Sequence, residues 1–305
     1  MPKSKGCHLI ATIPAMTDLD KVEHIISDHF ISGVRWNTGV VSHYNEFETL
    51  QILKELSDKY HKKFWVDLKG RQLRITEWAA PMFSCIKVNH NFSVDLPATI
   101  ILRGEEPLTI EKVAGNKIFT KTIPRNCVGA GQSVNILGEN LNIEGYLTDK
   151  DKDYLAACNT LGISNIMASF VEDFHDILDI LEFNQSFRIV CKIESKKGVE
   201  FLAGLKGSGL GVMAARDDLY VELNNGPYTM YDALTDIINT NKNAICASRI
   251  FTSLEHSRNV ALSDFSDLEL MYNIGYRNFM LCDNVCNYCF DKAIKAWRIF
   301  LYEKR

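Results

Sequence analysis

At 305 residues the chain is long enough for one large domain or two smaller ones, and its 46% hydrophobic and 24% charged residues suit a globular protein with a normal core. A net charge of −4 leaves no basic surplus, which argues against nucleic acid and anionic membrane as partners. No run reaches the roughly 18 apolar residues of a transmembrane helix, the start Met-Pro-Lys-Ser-Lys-Gly leads into no apolar signal segment, and nine cysteines, several inside apolar runs (Cys85, Cys191, Cys246), fit the reduced thiols of a cytoplasmic protein.

Short apolar runs alternate with amphipathic stretches from the start. Leu9–Ile13 predicts a first strand, and Thr17-Asp18 caps a helix with Leu19, Val22, Ile25 and Ile26 on one face. Gly33–Asn37 is a second strand, residues 46–60 a second helix, and Phe64–Leu68 a third strand. From about Ile75 to Val134 the rhythm changes. Alternating stretches (Thr99–Leu102, Leu108–Ile110, Lys117–Ile123) with turns at Gly104–Pro107 and Gly115-Asn116 predict a small β insertion. Strand–helix alternation resumes at Leu147–Asp151, where Thr148 is a candidate N-cap with Asp151 three residues on. Strands follow at Ile166–Phe170, Ile189–Ile193, Leu210–Ala214, Ala244–Ser248 and Asn278–Cys282. Helices are expected over 173–183, 197–205, Tyr228–Ile238, 263–274 and 285–301. Eight strands and eight helices predict a (β/α)8 barrel built from residues 1–74 and 135–305, with a small all-β lid over 75–134 after strand three. A doubly wound open sheet is the structural alternative.

The charged ends of two neighbouring runs stand out. Lys192 and Glu194 are two apart and point to one face of their strand. The next run exits through Arg216, Asp217 and Asp218. Ligands bind at the C-terminal rim of such a sheet, so Glu194 and Asp218 are candidate ligands for one hard divalent cation, with Lys192 beside it suited to a phosphoryl group or oxyanion. A structural ion pair is the plain alternative for these carboxylates, and a solvated strand end for Arg35 and Arg74.

These segments resemble the pyruvate kinase family. Val34-Arg35-Trp36-Asn37 is similar to its Arg-Leu-Asn-Phe-Ser-His strand, and Asp67–Arg74 to Asp-Thr-Lys-Gly-Pro-Glu-Ile-Arg. Leu147–Asp151 resembles Leu-Ser-Glu-Lys-Asp, Lys192-Ile193-Glu194 matches Lys-Ile-Glu, and Met213–Leu219 resembles Met-Val-Ala-Arg-Gly-Asp-Leu. Cys246-Ala247-Ser248 stands at Ala-Thr-Gln. The resemblance implies a phosphotransferase acting between an enol phosphate or 2-oxo acid, such as phosphoenolpyruvate, and a nucleotide. It implies Mg²⁺ or Mn²⁺ on Glu194 and Asp218, and Lys192 and Arg35 on the phosphoryl group. Arg74 would meet the nucleotide phosphates, and Ser248 would help deliver a proton. The segment Ala215, Arg216, Asp217, Asp218 would hold the substrate carboxylate at a helix start. Asn37, also placed at the nucleotide, would line a monovalent-cation site with Asp67. The chain ends after the eighth expected helix, so no regulatory C-terminal domain is expected, and a homo-oligomer through barrel helices is a further expectation.

Several residues depart from the family pattern. Asp217 and Tyr220 replace glycines, Gly39 and Val40 replace Ser and His, Leu68 replaces Thr, Gln72 replaces Glu, and Arg249 replaces Gln. The K⁺ site thus loses a hydroxyl ligand. An acidic side chain at 217 also leaves open a metal-dependent 2-oxo-acid lyase or aldolase, or a non-catalytic metabolite-binding paralogue. Finally, Cys282, Cys286 and Cys289 have an iron–sulfur-like spacing, but they also fit the core face of the last helix.

Overall fold

The computed structural model describes residues 6–40, 42–77, 85–102, 105–126, 128–223 and 229–304. Two compact units divide the chain: Met1–Leu68 with Asp153–Arg305, and Lys69–Lys152. The expected helix start at Tyr228 and the turn residue Gly104 lie outside the described residues.

In chain order the first unit opens with β1 (His8–Thr12), α1 (Leu19–Ser27), β2 (Ile31–Asn37), α2 (Glu46–Lys59) and β3 (Lys63–Leu68). The insertion carries β4 (Cys85–Lys87), β5 (Phe92–Ser93), β6 (Ala98–Leu102), β7 (Leu108–Ala114), β8 (Lys117–Thr120), β9 (Val134–Leu137) and β10 (Asn142–Ile143). Then follow α3 (Asp149–Leu161), β11 (Asn165–Ala168), α4 (Phe174–Leu181), β12 (Arg188–Ile193), α5 (Lys196–Leu205) and β13 (Gly211–Ala215). The chain closes with α6 (Arg216–Leu223), α7 (Met230–Thr240), β14 (Ile245–Ala247), α8 (Leu262–Ile274), β15 (Asn278–Leu281), α9 (Asp283–Tyr288) and α10 (Phe290–Glu303).

Eight parallel strands close in the order β1-β15-β14-β13-β12-β11-β3-β2, so the fold is a (β/α)8 barrel with a β insertion after its third strand. Its interior is layered by the two-residue period of the strands. Ile10, Met167, Met213, Ile245 and Met280 form a packed apolar plug, with Trp65 and Val190 against it. Two positions further along, the same inward faces present Thr12, Asp67, Ser169 and Lys192, all buried. The apolar layer therefore fixes which residues reach the rim. Gly33 is required here, because a Cβ would lie 2.3 Å from the Trp65 ring.

The outer faces hold the helices. In α10 the buried residues Phe290, Ala293, Ile294, Trp297 and Phe300 recur at helical spacing. Trp297 packs on Phe279 of β15 at 5.5 Å and on Phe300 at 5.4 Å. Each of the large ones, such as Ile294 or Phe300, contributes about 1.5–3 kcal/mol. The helix starts follow the capping signals: Asp18 accepts from Lys21 N, and Asn45 and Glu48 form a capping box.

Two expectations need correction. The described residues hold ten α-helices where eight were expected. One addition is α6, which begins directly after β13. The other arises because the predicted helix 285–301 is two, broken at Cys289, whose φ of −141° leaves the helical region. Cys286 and Cys289 are nonetheless buried, as a core-facing reading requires.

In the inserted unit an antiparallel sheet runs β4-β8-β7-β6-β9, and β5 pairs with β10. Its core includes Ile86, Val88, Ile100, Leu102, Ile118 and Ile136. The β7–β8 hairpin turns at Gly115-Asn116, with Gly115 at φ +61°, which suits glycine. Thr148 and Asp151 cap α3 as their spacing predicts: Asp151 N–H donates to Thr148 Oγ1 at 3.1 Å. The buried Asp151 carboxylate also accepts from the backbone N–H groups of Lys69 at 2.8 Å and Gly70 at 3.1 Å. One side chain thus ties the chain's exit into the insertion to its return. Among the described residues no helix is long and apolar enough to cross a membrane.

Candidate active site

The barrel's rim gathers a buried charge cluster. Asp67, at the end of β3, has no exposure and serves two cations. Arg35, from neighbouring β2, donates from Nε to Asp67 Oδ2 at 3.0 Å and pairs again through Nη2. Lys192 Nζ lies 3.2 Å from Asp67 Oδ1 and 3.2 Å from Glu194 Oε1. These contacts exist because Arg35 is paired in register with Trp65 and Asn37 with Asp67, which brings the two strand ends side by side.

Two residues without an expected role complete the cluster. Ser169 Oγ accepts from Lys192 Nζ at 2.6 Å. Thr12 Oγ1 accepts from Arg35 Nη1 at 3.2 Å and donates to Leu281 O at 2.7 Å. A signal for both existed: each stands two positions beyond a residue of the apolar plug, Met167 and Ile10. Glu194 is held by its second oxygen, since Oε2 accepts from Phe170 N–H at 2.8 Å. Phe170 turns that N–H inward by adopting a φ of +50°, an uncommon conformation for a bulky residue and one that recurs at functional sites.

Burial disfavours charge on Glu194 and pushes its carboxyl above the ordinary range. Lys192 acts against this, while the like charges of Asp218 and Asp67 add to it. For Lys192 burial works against the ammonium, but Asp67 and Glu194 outweigh it and hold its pKa above the ordinary lysine value. Arg35 behaves alike, with Asp67 overcoming its burial. Asp218, in the first turn of α6, is close enough for its charge to act on both Glu194 and Lys192. Asp283 acts on Arg35 as well, so two cations face four carboxylates, of which Asp67 and Glu194 are buried and Asp218 and Asp283 partly exposed, and negative charge is in excess. Hard oxygen donors with surplus negative charge fit Mg²⁺ or Mn²⁺ chemically. Among the described residues no group of three or more His, Cys, Asp or Glu is placed to hold a metal ion, so the protein itself would supply at most the two carboxylates Glu194 and Asp218.

Within the barrel unit, not every expected residue enters this cluster. Arg216 turns to the outside of the barrel. Its guanidinium forms a two-pronged pair with Asp267 at 2.7 and 2.8 Å and donates to the carbonyls of Ala247 and Ser248. It braces a loop whose Ser248 and Arg249 both have left-handed backbone, φ +65° and +60°. Asp217 is exposed and accepts from Arg249 Nε at 2.7 Å, while the Arg249 guanidinium lies 5.0 Å from the Tyr220 ring centre. Three of the departures from the family pattern thus meet one another. Ala215 ends β13 and is buried. Asn37 accepts from Gly39 N–H at 3.1 Å. Arg74 belongs to the inserted unit, where it donates to Gln72 Oε1 and to Gly131 O. The thiols of Cys282, Cys286 and Cys289 are not gathered as metal ligands. Cys282 is pushed up to about 12 chiefly by burial and donates to Glu255 Oε1 at 3.2 Å.

The family model described as pyruvate kinase, barrel domain, matches residues 97–283. Among curated relatives, the chain is 24% identical over 249 residues to the pyruvate kinase of Borreliella burgdorferi, covering 72% of this chain and 51% of that protein. It is 24% identical over 301 residues to the pyruvate kinase of Lactobacillus delbrueckii subsp. bulgaricus, covering 87% of this chain and 51% of that one. A shorter match, 32% over 119 residues, links it to the pyruvate kinase of Geobacillus stearothermophilus, covering 37% of this chain and 20% of that protein. The chain spans about half the length of the first two of these relatives. The family match covers more than half of the chain and the barrel carries it, so the protein belongs to the pyruvate kinase family.

Proposed function

We propose that this barrel is a divalent-metal-dependent phosphotransferase of pyruvate kinase type. It would move a phosphoryl group between an enol phosphate or 2-oxo acid, phosphoenolpyruvate or a relative, and a nucleotide. The observation that supports this most is Lys192, buried at the rim between Asp67, Glu194 and Ser169 with the Arg35 guanidinium bound to the same Asp67. Phosphoryl transfer needs little covalent work from a protein; it needs positioning and fixed positive charge where negative oxygen develops. Lys192 and Arg35 supply that charge, and Asp67 holds both in place.

Glu194 and Asp218 are the residues we assign to Mg²⁺ or Mn²⁺, with substrate and water oxygens completing the shell. Such an ion, when bound, neutralises charge on the substrate oxygens. Glu194 is pre-oriented for this by the Phe170 N–H. Ser248 is the residue we assign to proton delivery, on the family resemblance. A lyase drew on Asp217 and on the altered pocket around Tyr220; the pairing of Asp217 with Arg249 weakens the first of these grounds.

The direct test is a coupled assay for pyruvate with phosphoenolpyruvate, ADP and Mg²⁺, extended to other nucleoside diphosphates. Turnover that depends on the metal is expected. Folded, metal-binding protein that turns over no enol phosphate with any nucleotide would overturn the proposal.

A smaller effect is expected at the departures. Arg249→Ala leaves Asp217 unpaired near the start of α6, where it repels an anionic substrate. The pair is half exposed, so the KM for phosphoenolpyruvate should rise only roughly 2–5-fold. Adding Asp217→Gly to that variant should return KM to the starting value. A KM that stays raised in the double variant would mean that Arg249 acts on the substrate itself.

A further inference from the structure

Outside the rim, helices α5, α6 and α7 line a half-open cavity of about 470 Å³ that no step of the proposed reaction uses. Its size is in the range of small-molecule sites. Val199, Leu202 and Leu223, all nearly buried, supply an apolar wall. Glu222 projects from the last turn of α6 into this lining, and Asp236 adds a second carboxylate from α7. Among the described residues Glu222 accepts no hydrogen bond and forms no ion pair within 4 Å. Burial, then the like charges of Glu172 and Asp218, push its carboxyl up to about 7, against the opposing charge of Lys197. Glu222 is partly buried beside the apolar wall, so its anion is poorly solvated there, and a bound hydrogen-bond donor relieves that cost.

The charges select the ligand. Three carboxylates of the lining, Glu200, Glu222 and Asp236, outnumber its two lysines, Lys196 and Lys206, so a simple anion with no ammonium of its own is disfavoured beside Glu222. A purely apolar ligand fills the wall but leaves Glu222 unsatisfied. A cation alone gains nothing from Val199, Leu202 and Leu223. We infer that the cavity binds a small primary amine with a branched aliphatic body, its ammonium on Glu222 and its aliphatic part on the Val199–Leu202–Leu223 wall. Lys196 and Lys206 are exposed at the lining and are placed to receive a carboxylate if the amine carries one.

The test is calorimetric titration of the full chain, without metal or nucleotide, with 3-methylbutylamine, free leucine and 4-methylpentanoate. The amine is expected to bind saturably and 4-methylpentanoate not to bind. Leucine binding more tightly than the amine assigns the site to free amino acids; leucine binding more weakly assigns it to simple amines. Glu222→Gln keeps the shape and should weaken the amine by at least about tenfold. Val199→Trp, which fills the cavity but keeps Glu222, should abolish binding. The inference is overturned if the amine does not saturate, if Glu222→Gln leaves its affinity unchanged, or if the carboxylate binds as well. No catalytic readout enters, so this result stands apart from the success or failure of the phosphotransferase reading.

Discussion

Lys192→Met is expected to lower metal-dependent turnover by about 10²–10³-fold or more, the usual cost of removing one preorganised group that stabilises developing negative charge. It should also lower stability. Lys192 is the shared partner of Asp67 and Glu194, both buried, at 3.2 Å from each. Without the ammonium these carboxylates share only Arg35 as a nearby cation, and breaking a buried pair costs about 3–5 kcal/mol. Chemical denaturation without metal measures that loss. Mn²⁺ should then raise the melting temperature of Lys192→Met more than that of the unaltered protein, because the variant's site carries one further unit of uncompensated negative charge. Full turnover in Lys192→Met would remove the lysine from the mechanism. Unchanged stability would mean that its contacts with Asp67 and Glu194 contribute little net energy.

Asp67→Asn is expected to have the largest effect on folding of any single isosteric change at the rim. The carboxylate is fully buried and balances both Arg35 and Lys192. An amide keeps the volume but removes the charge, so two buried cations then face each other with Glu194 as the closest remaining counter-charge. A loss of about 3–5 kcal/mol is expected. Lys54–Asp58 on α2 offers the contrast. That pair is also well formed, at 2.6 Å, but Asp58 is 65% exposed. Asp58→Asn should therefore change stability by less than about 0.5 kcal/mol. Denaturation midpoints for the two variants, measured together, separate buried from solvated charge in one protein. Equal shifts would contradict this account of the cluster.

Much of the barrel was legible because its strands are short apolar runs ending in charge, and because two-residue spacing puts Lys192 and Glu194 on one face. The Thr148–Asp151 cap and the Gly115-Asn116 turn were legible for local reasons: both depend on residues within three positions of each other. What stayed hidden depends on partners far along the chain. Strand β5 is two residues long and exists only through pairing of Ser93 with Asn142. Helix α6 follows β13 with no intervening loop and buries only Arg216, Leu219 and Leu223, too few for a clear amphipathic pattern, so only the family resemblance pointed to a helix start there. The break at Cys289 involves neither proline nor glycine. Asp217 and Arg249 are 32 positions apart, and only the closed barrel shows that one departure from the family pattern neutralises the other. Thr12 carries no motif of its own, and Ser169 lies in an Ala168–Val171 segment similar to the family's without a role read from it; the inward register of their strands brings them to Arg35 and Lys192.

The most direct single measurement is a Mn²⁺ titration of the purified protein, followed by electron paramagnetic resonance, beside Glu194→Gln and Asp218→Asn. One bound ion per chain is expected. Each substitution should weaken it by more than the roughly 10–100-fold that a merely supporting residue costs. If the unaltered protein takes up no Mn²⁺, or if both variants bind it as well as the unaltered protein does, the metal site and the phosphotransfer reading built on it are wrong.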